Sequence, residues 1–281
     1  MRSGRTLTLS LPPFTRTVKW LVIVNACLLL LVNLLDKFAP QLYYWFARLF
    51  YLIPDLVTHG RLWQIVTYSF IHEDFWHFAS NMLWLWWFGA QLESDWGKHK
   101  FLEFYLFCVT AAALTTVAVS YTGFGGISPG VPTIGASGGV LGILMAFGML
   151  YGDQEIWLFP IPFSIRAKYF VAGIVLFTLL GALKAGGPHG RSVAYVAHIG
   201  GLLFGFLYIK FMPRRGAGYA ASEKYFGLRN SYYRWKRRRA ARKFEVYMRD
   251  HDRKVTFDEH GNYVPPDDDK KNGGSKSGWV N

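Results

Sequence analysis

Cysteine is nearly absent: Cys27 and Cys108 are the only two in 281 residues, both inside apolar runs and not in a C-x-x-C pair. They read as packing residues. No apolar run carries an aspartate pair, which excludes aspartyl chemistry within a membrane. His72 and His77 flank an acidic pair, but they are five apart rather than the four that place two zinc ligands on one helix face. Interior charges of the kind that mark ion-coupled transporters are missing from the apolar runs too. There is no internal repeat. Acidic residues are few, 18 against 31 Lys and Arg, and the net charge of +13 gathers at the N-terminus and in the tail. Flanking charge of this kind follows the positive-inside bias of membrane proteins, so no nucleic-acid partner is expected.

Apolar length is what the chain has in plenty. It is 52% hydrophobic, with nearly all of that weight before Met212. Runs near 20 residues predict an all-α membrane protein with spans over 18–35, 75–92, 101–121, 137–151, 169–183 and 192–212. The start is basic, but the apolar run after it has no small-residue cleavage site, so this run reads as a first span. Residues 36–74 are aromatic-rich but broken by Arg48, Pro54 and Gly60, which predicts short interfacial helices. Three regions result: an N-terminal segment 1–17, a six-span domain 18–212 and a basic tail 213–281. Within the tail, 232–254 reads as a basic amphipathic helix, and the stretch from Pro265 is disorder-prone.

Six spans put both termini on one side. Arg2, Arg5, Arg16, Lys19, Lys98, Lys100, Arg166, Lys168, Lys210, Arg214 and Arg215 then share the cytoplasmic face, with fewer basic residues opposite. The expected location is a bacterial cytoplasmic (inner) membrane with both termini cytoplasmic. Spans two, four and six all start at the outer surface.

The stretch VPTIGASGGVLG, residues 131–142, sets Ser137 between glycines where a loop becomes an apolar helix. The run 137–151 rises only about 22 Å, whereas a hydrocarbon core is ~30 Å thick. With its charged end at one surface, Ser137 lies roughly 8 Å below the other. Bare loop backbone at that depth must line a wet or protein-walled cavity. His198 lies about 9 Å into span six, and His77 and Asn81 share one face in the first two turns of span two. Three helices thus bring a serine, two histidines and an asparagine to one level.

A serine needs a base within hydrogen-bond reach, and His198 is the candidate. The Ser137 backbone N–H, the His77 ring and the Asn81 amide could serve a developing oxyanion. No acid is placed to orient His198, so a dyad is expected. Gly138 with Gly142, and Gly201 with Gly205, form small-xxx-small faces that allow spans four and six to approach. Each residue alone has a blander role: Ser137 as a helix cap, the glycines as packing, His77 and Asn81 as loop ties. An intramembrane histidine is more telling, because polar groups at depth are costly. The shared depth decides for a site.

These motifs resemble the rhomboid family of intramembrane serine proteases. The matching residues are GASG (135–138), His72-x4-His77-x3-Asn81-Met82, Glu93 with Gly97, and AHIGGLLFG (197–205). The resemblance covers about 17–212 and implies a six-helix bundle, Ser137 as nucleophile, His198 as base, and His77 with Asn81 at the oxyanion hole. It implies cleavage of single-span membrane proteins near small residues in unstable helix segments, without a cofactor, and His72 as a structural tie between the first loop and span two. The alternative is an inactive rhomboid-like protein that binds or moves membrane clients, although inactive relatives usually lose the serine or histidine. Two positions depart from the pattern. Trp63-Gln64 stands where the first loop often has Trp-Arg, and Leu141 stands where an aromatic ring often follows the serine. Leucine has no π-face, so Trp84 or Tyr195 would have to supply the ring that steadies His198.

Overall fold

The computed structural model describes residues 12–123, 127–157, 164–184, 191–211, 227, 229–236, 239, 246, 256–257 and 263–264. The chain divides into two units, Met1–Gly216 and Ala217–Asn281. The first unit opens with α1 (Arg16–Phe38), whose N-terminus is capped from a distance rather than by Thr15 acting on its own turn. The carboxylate of Glu93, only 6% exposed, accepts from the backbone N–H groups of Thr17 at 2.8 Å and Val18 at 3.0 Å, and from the Thr15 hydroxyl. An anion here answers both the orphan donors and the positive end of the helix dipole.

Residues 36–74 fold as short helices: α2 (Pro40–Phe50), α3 (Pro54–Thr58), α4 (Gln64–Thr67) and a 3₁₀ turn, Tyr68–Phe70. Proline stands first in α2 and in α3, where its missing N–H costs nothing. Gln64 is fully buried: its amide donates to the Arg48 carbonyl at 2.8 Å and accepts from the Ile53 N–H at 3.1 Å. The departure from Trp-Arg therefore leaves this loop anchored, through a neutral amide.

The segment expected as span two is a composite of α5 (Phe75–Trp84), a π-helical turn over Leu85–Gly89 and α6 (Ala90–Trp96), so the helix runs past the expected stop at residue 92. The positive φ of Gly97, +77°, ends it. α7 (Lys98–Ser120) is the central helix, burying Phe101, Phe104, Tyr105, Cys108, Val109 and Ala112 among others. α8 (Ser137–Leu150) lies against it, and glycines make this possible. A Cβ on Gly138 would fall 2.6 Å from Ala112 Cβ, and one on Gly142 would fall 2.5 Å from Cys108 Sγ. Close backbone approach through small residues is how helices associate in lipid.

After α8, β1 (Glu155–Trp157) pairs antiparallel with β2 (Ser164–Arg166), a hairpin that the sequence did not suggest. Its Pro160 and Pro162, like the 185–190 link, lie outside the described residues. The hairpin feeds α9 (Ala167–Lys184), whose start is tied to the end of α8 by Lys168 N–H to Gly152 O at 3.0 Å and Lys168 Nζ to Asp153 at 2.6 Å. α10 (Arg191–Phe211) completes the unit.

Among the described residues, α1, α7 and the 194–211 part of α10 are long and apolar enough to cross a membrane, with α8 and residues 167–183 as shorter apolar helices. In the second unit, residues 229–236 are helical and β3 (Thr256–Phe257) pairs with β4 (Tyr263–Val264). Most of the expected 232–254 helix, and the stretch from Pro265, lie outside the described residues.

Candidate active site

The loop before α8 is held from three directions. Thr133 exchanges backbone hydrogen bonds with Leu52, and the Gly135 N–H donates to Tyr68 O at 3.0 Å. The Tyr68 hydroxyl in turn donates to Val109 O on α7 at 2.8 Å. The Ala136 N–H points at His72 Nε2, 3.5 Å away. His72 is fully buried ahead of α5, and burial pushes its imidazole down to about 3, so the ring is neutral and can accept there. Its ring also meets His77 and Phe78 of α5 edge-on. His72 thus contacts both α5 and the loop that delivers Ser137.

Gly135 is constrained twice. Its φ of +117° is a conformation that side-chain-bearing residues rarely adopt, and a Cβ there would lie 2.7 Å from His77 Nε2 and 3.8 Å from Ser137 Oγ. The His77 ring therefore presses on the backbone beside Ser137. Asp74 starts α5 by accepting from the His77 N–H at 2.8 Å, and that N–H holds the Asp74 carboxyl below its ordinary range. One turn on from His77, the buried Asn81 donates from its amide to His77 O at 2.8 Å, which leaves its second N–H for other use.

Ser137 is the first residue of α8, and its Oγ lies 2.8 Å from His198 Nε2 on α10. When Nε2 is unprotonated it accepts from the serine hydroxyl. Backbone contact between the helices permits the pair. A Cβ on Gly201 would fall 2.1 Å from Gly138 O, and one on Gly205 would fall 2.8 Å from Gly142 Cα. Gly138 and Gly142 thus turn their missing side chains toward α7, while Gly201 and Gly205 turn theirs toward α8. No carboxylate among the described residues pairs with His198.

Ser137, His198, His77 and Asn81 line one cavity of about 540 Å³, whose walls include Trp84, Leu141, Phe177, Thr178 and Tyr195. Of the two rings considered for steadying His198, Trp84 stacks instead on Phe88 and Phe170, and Tyr195 meets the imidazole. Tyr68, Thr133 and Leu52 were not foreseen as loop supports. Their signal is a backbone partnership, which leaves no trace in residue type.

A rhomboid domain model matches residues 59–215 of the 281. The chain belongs to the rhomboid family. It is 31% identical over 170 residues to Rhomboid protein 1, mitochondrial, of Saccharomyces cerevisiae, covering 60% of this chain and 46% of that protein. It is 27% identical over 189 residues to Rhomboid protease GlpG of Salmonella choleraesuis, covering 67% of this chain and 60% of that protein. The alignments thus span about half of the yeast protein and three fifths of the bacterial one. The rhomboid domain holds every residue of the cavity, whereas α1 and α2 precede it. With its apolar helices, this rhomboid is an integral membrane protein.

Proposed function

We propose that this rhomboid is an intramembrane serine protease that cleaves single-span membrane proteins with a Ser137–His198 dyad. The observation that carries the reading is the 2.8 Å contact between Ser137 Oγ and His198 Nε2 across two helices. In the first step His198 Nε2 takes the hydroxyl proton as Oγ attacks the scissile carbonyl. The carbonyl oxygen gains charge and draws on the Ser137 N–H, the His77 ring and the free N–H of Asn81. His198 then returns the proton to the departing amine, leaving an acyl-serine. Water, deprotonated by the same ring, attacks that ester and restores the hydroxyl. His72, Gly135, Gly138, Gly201 and Gly205 support this geometry rather than the chemistry. No cofactor enters the scheme, and no nucleic-acid partner is expected. The setting proposed is a six-span bundle in a bacterial inner membrane with both termini cytoplasmic.

The test is cleavage of a single-span reporter in proteoliposomes, with fluorophosphonate labelling alongside. Ser137→Ala and His198→Ala are expected to abolish cleavage with the helical fold intact, and Ser137→Ala to abolish labelling. His77→Ala and Asn81→Ala each lower the rate by ~10²–10³, since one lost oxyanion donor has about that effect. Substantial cleavage by either dyad variant overturns the mechanism. A folded parent that neither cleaves nor labels favours the non-catalytic client binder.

A further inference from the structure

One aromatic group in the cavity wall has no part in the proton transfers above. Tyr195 precedes His198 by three residues on α10, so the two side chains lie over neighbouring parts of one helix face. Their ring centroids are 6.0 Å apart with planes at 82°, the edge-to-face geometry that aromatic pairs prefer. The tyrosine ring also rests on α9. A Cβ on Gly181 would fall 2.3 Å from Tyr195 Cε1, 2.5 Å from Cζ and 2.8 Å from the hydroxyl oxygen. The ring therefore lies directly on helix backbone, in a space that exists because residue 181 has no side chain. Leu141 lines the same cavity beside Ser137 and offers no ring.

An imidazole is weakly held about its terminal torsion, where the energy wells are broad. Here the Ser137 hydroxyl engages one edge, through Nε2, and no carboxylate among the described residues engages the other. We propose that Tyr195 is a positioning residue for His198: seated on Gly181, it holds the imidazole in the orientation that reaches Ser137. This rests on the dyad reading above. A ring pair of this kind biases an orientation by a factor of roughly two to twelve, which sets the size of the expected effect. The ring does the work, so its hydroxyl is dispensable and a ring from another direction can substitute.

The test uses the full chain, with kcat and KM measured on the single-span reporter. Tyr195→Leu lowers kcat about five- to tenfold and leaves KM unchanged, while the conservative Tyr195→Phe stays within about twofold of the parent. Adding Leu141→Tyr to Tyr195→Leu restores at least half of the lost kcat, because that side chain enters the cavity from α8. A folded Tyr195→Leu protein with kcat within twofold of the parent overturns the proposal, as does a Tyr195→Phe loss equal to the leucine loss. A second readout needs no turnover: the ring ¹⁵N signal of His198 in detergent, assigned by its loss in His198→Gln. It is a single resonance in the parent and in Tyr195→Phe, and broadens or doubles in Tyr195→Leu. An unchanged signal in Tyr195→Leu refutes positioning. Failure of the protease reading appears instead as no Ser137-dependent cleavage by the parent, and the resonance comparison still decides the role of Tyr195.

Discussion

Gly201→Ala puts the proposed dyad under the most direct structural strain. A Cβ at this position would lie 2.1 Å from the carbonyl oxygen of Gly138 and 2.8 Å from its carbonyl carbon, where ordinary contact begins at 3.4 Å. Both obstacles are backbone, so no side-chain rotation relieves them. α10 has to withdraw from α8 by about 1 Å, and His198, three residues earlier on the same helix, moves with it. The 2.8 Å Ser137–His198 contact then opens to roughly 3.5–4 Å, beyond hydrogen-bond range. Displacements near 1 Å cost on the order of 10²-fold in rate, while overpacking costs about 1–3 kcal/mol of stability. The control is Gly173→Ala on α9, where a Cβ meets nothing within 4 Å. That change should hold or raise stability, because alanine favours a helix over glycine by about 0.5–1 kcal/mol. The assay is the initial cleavage rate in proteoliposomes, with thermal unfolding in detergent to establish the fold. A folded Gly201→Ala protein cleaving within threefold of the parent refutes the claim that this contact sets the dyad distance.

Three further outcomes are expected. Gln64→Leu orphans the Ile53 N–H and takes a donor from the Arg48 carbonyl, so thermal unfolding should show a loss of about 1–3 kcal/mol; an unchanged Tm would mean that the first loop is anchored without Gln64. Asp74 has a lowered carboxyl pKa in the folded chain, so its stabilisation is fully present above the unfolded value near 3.8 and is lost as pH falls through the folded one. Asp74→Ala should therefore flatten the acid limb of a Tm-against-pH curve, and an unaltered limb would remove Asp74 from the account. Truncation after Arg215 should leave detergent activity within about twofold while weakening binding to anionic vesicles, where each basic residue contributes about 1 kcal/mol; loss of activity would make the tail part of the catalytic unit.

The elements that could be read in advance were those encoded by long composition. The runs at 101–121 and 137–151 became α7 and α8 within a few residues, because an apolar run of that length has no other stable conformation in lipid. Short features escaped. The strands Glu155–Trp157 and Ser164–Arg166 are three residues each and flank a segment with two prolines, so periodicity had nothing to act on. The π-helical turn at Leu85–Gly89 sits inside an apolar stretch that reads as plain helix. Ser137 and His198 could be paired from depth alone. The supports of the loop could not, because Leu52, Tyr68 and His72 bond to its backbone, whatever its side chains, across 64 to 81 residues of sequence.

The glycines show where pattern and geometry part. The pairs Gly138/Gly142 and Gly201/Gly205 look alike in sequence and suggest two flat faces meeting symmetrically. In the fold, the first pair clears Ala112 and Cys108 on α7, and the second clears the backbone of α8. α8 is thus pressed from two sides: its glycines admit α7, and the glycines of α10 admit α8. This asymmetry separates two kinds of substitution. Gly142→Ala would push against Cys108 Sγ, a side-chain atom that can give, with Cys108 Cβ and Gly201 O close behind; Gly201→Ala meets the rigid carbonyl beside Ser137. The dyad distance should therefore respond most to the pair farther from the serine in sequence. A Ser-His pattern of correct depth without glycine at 201 would keep its chemical groups and lose their contact.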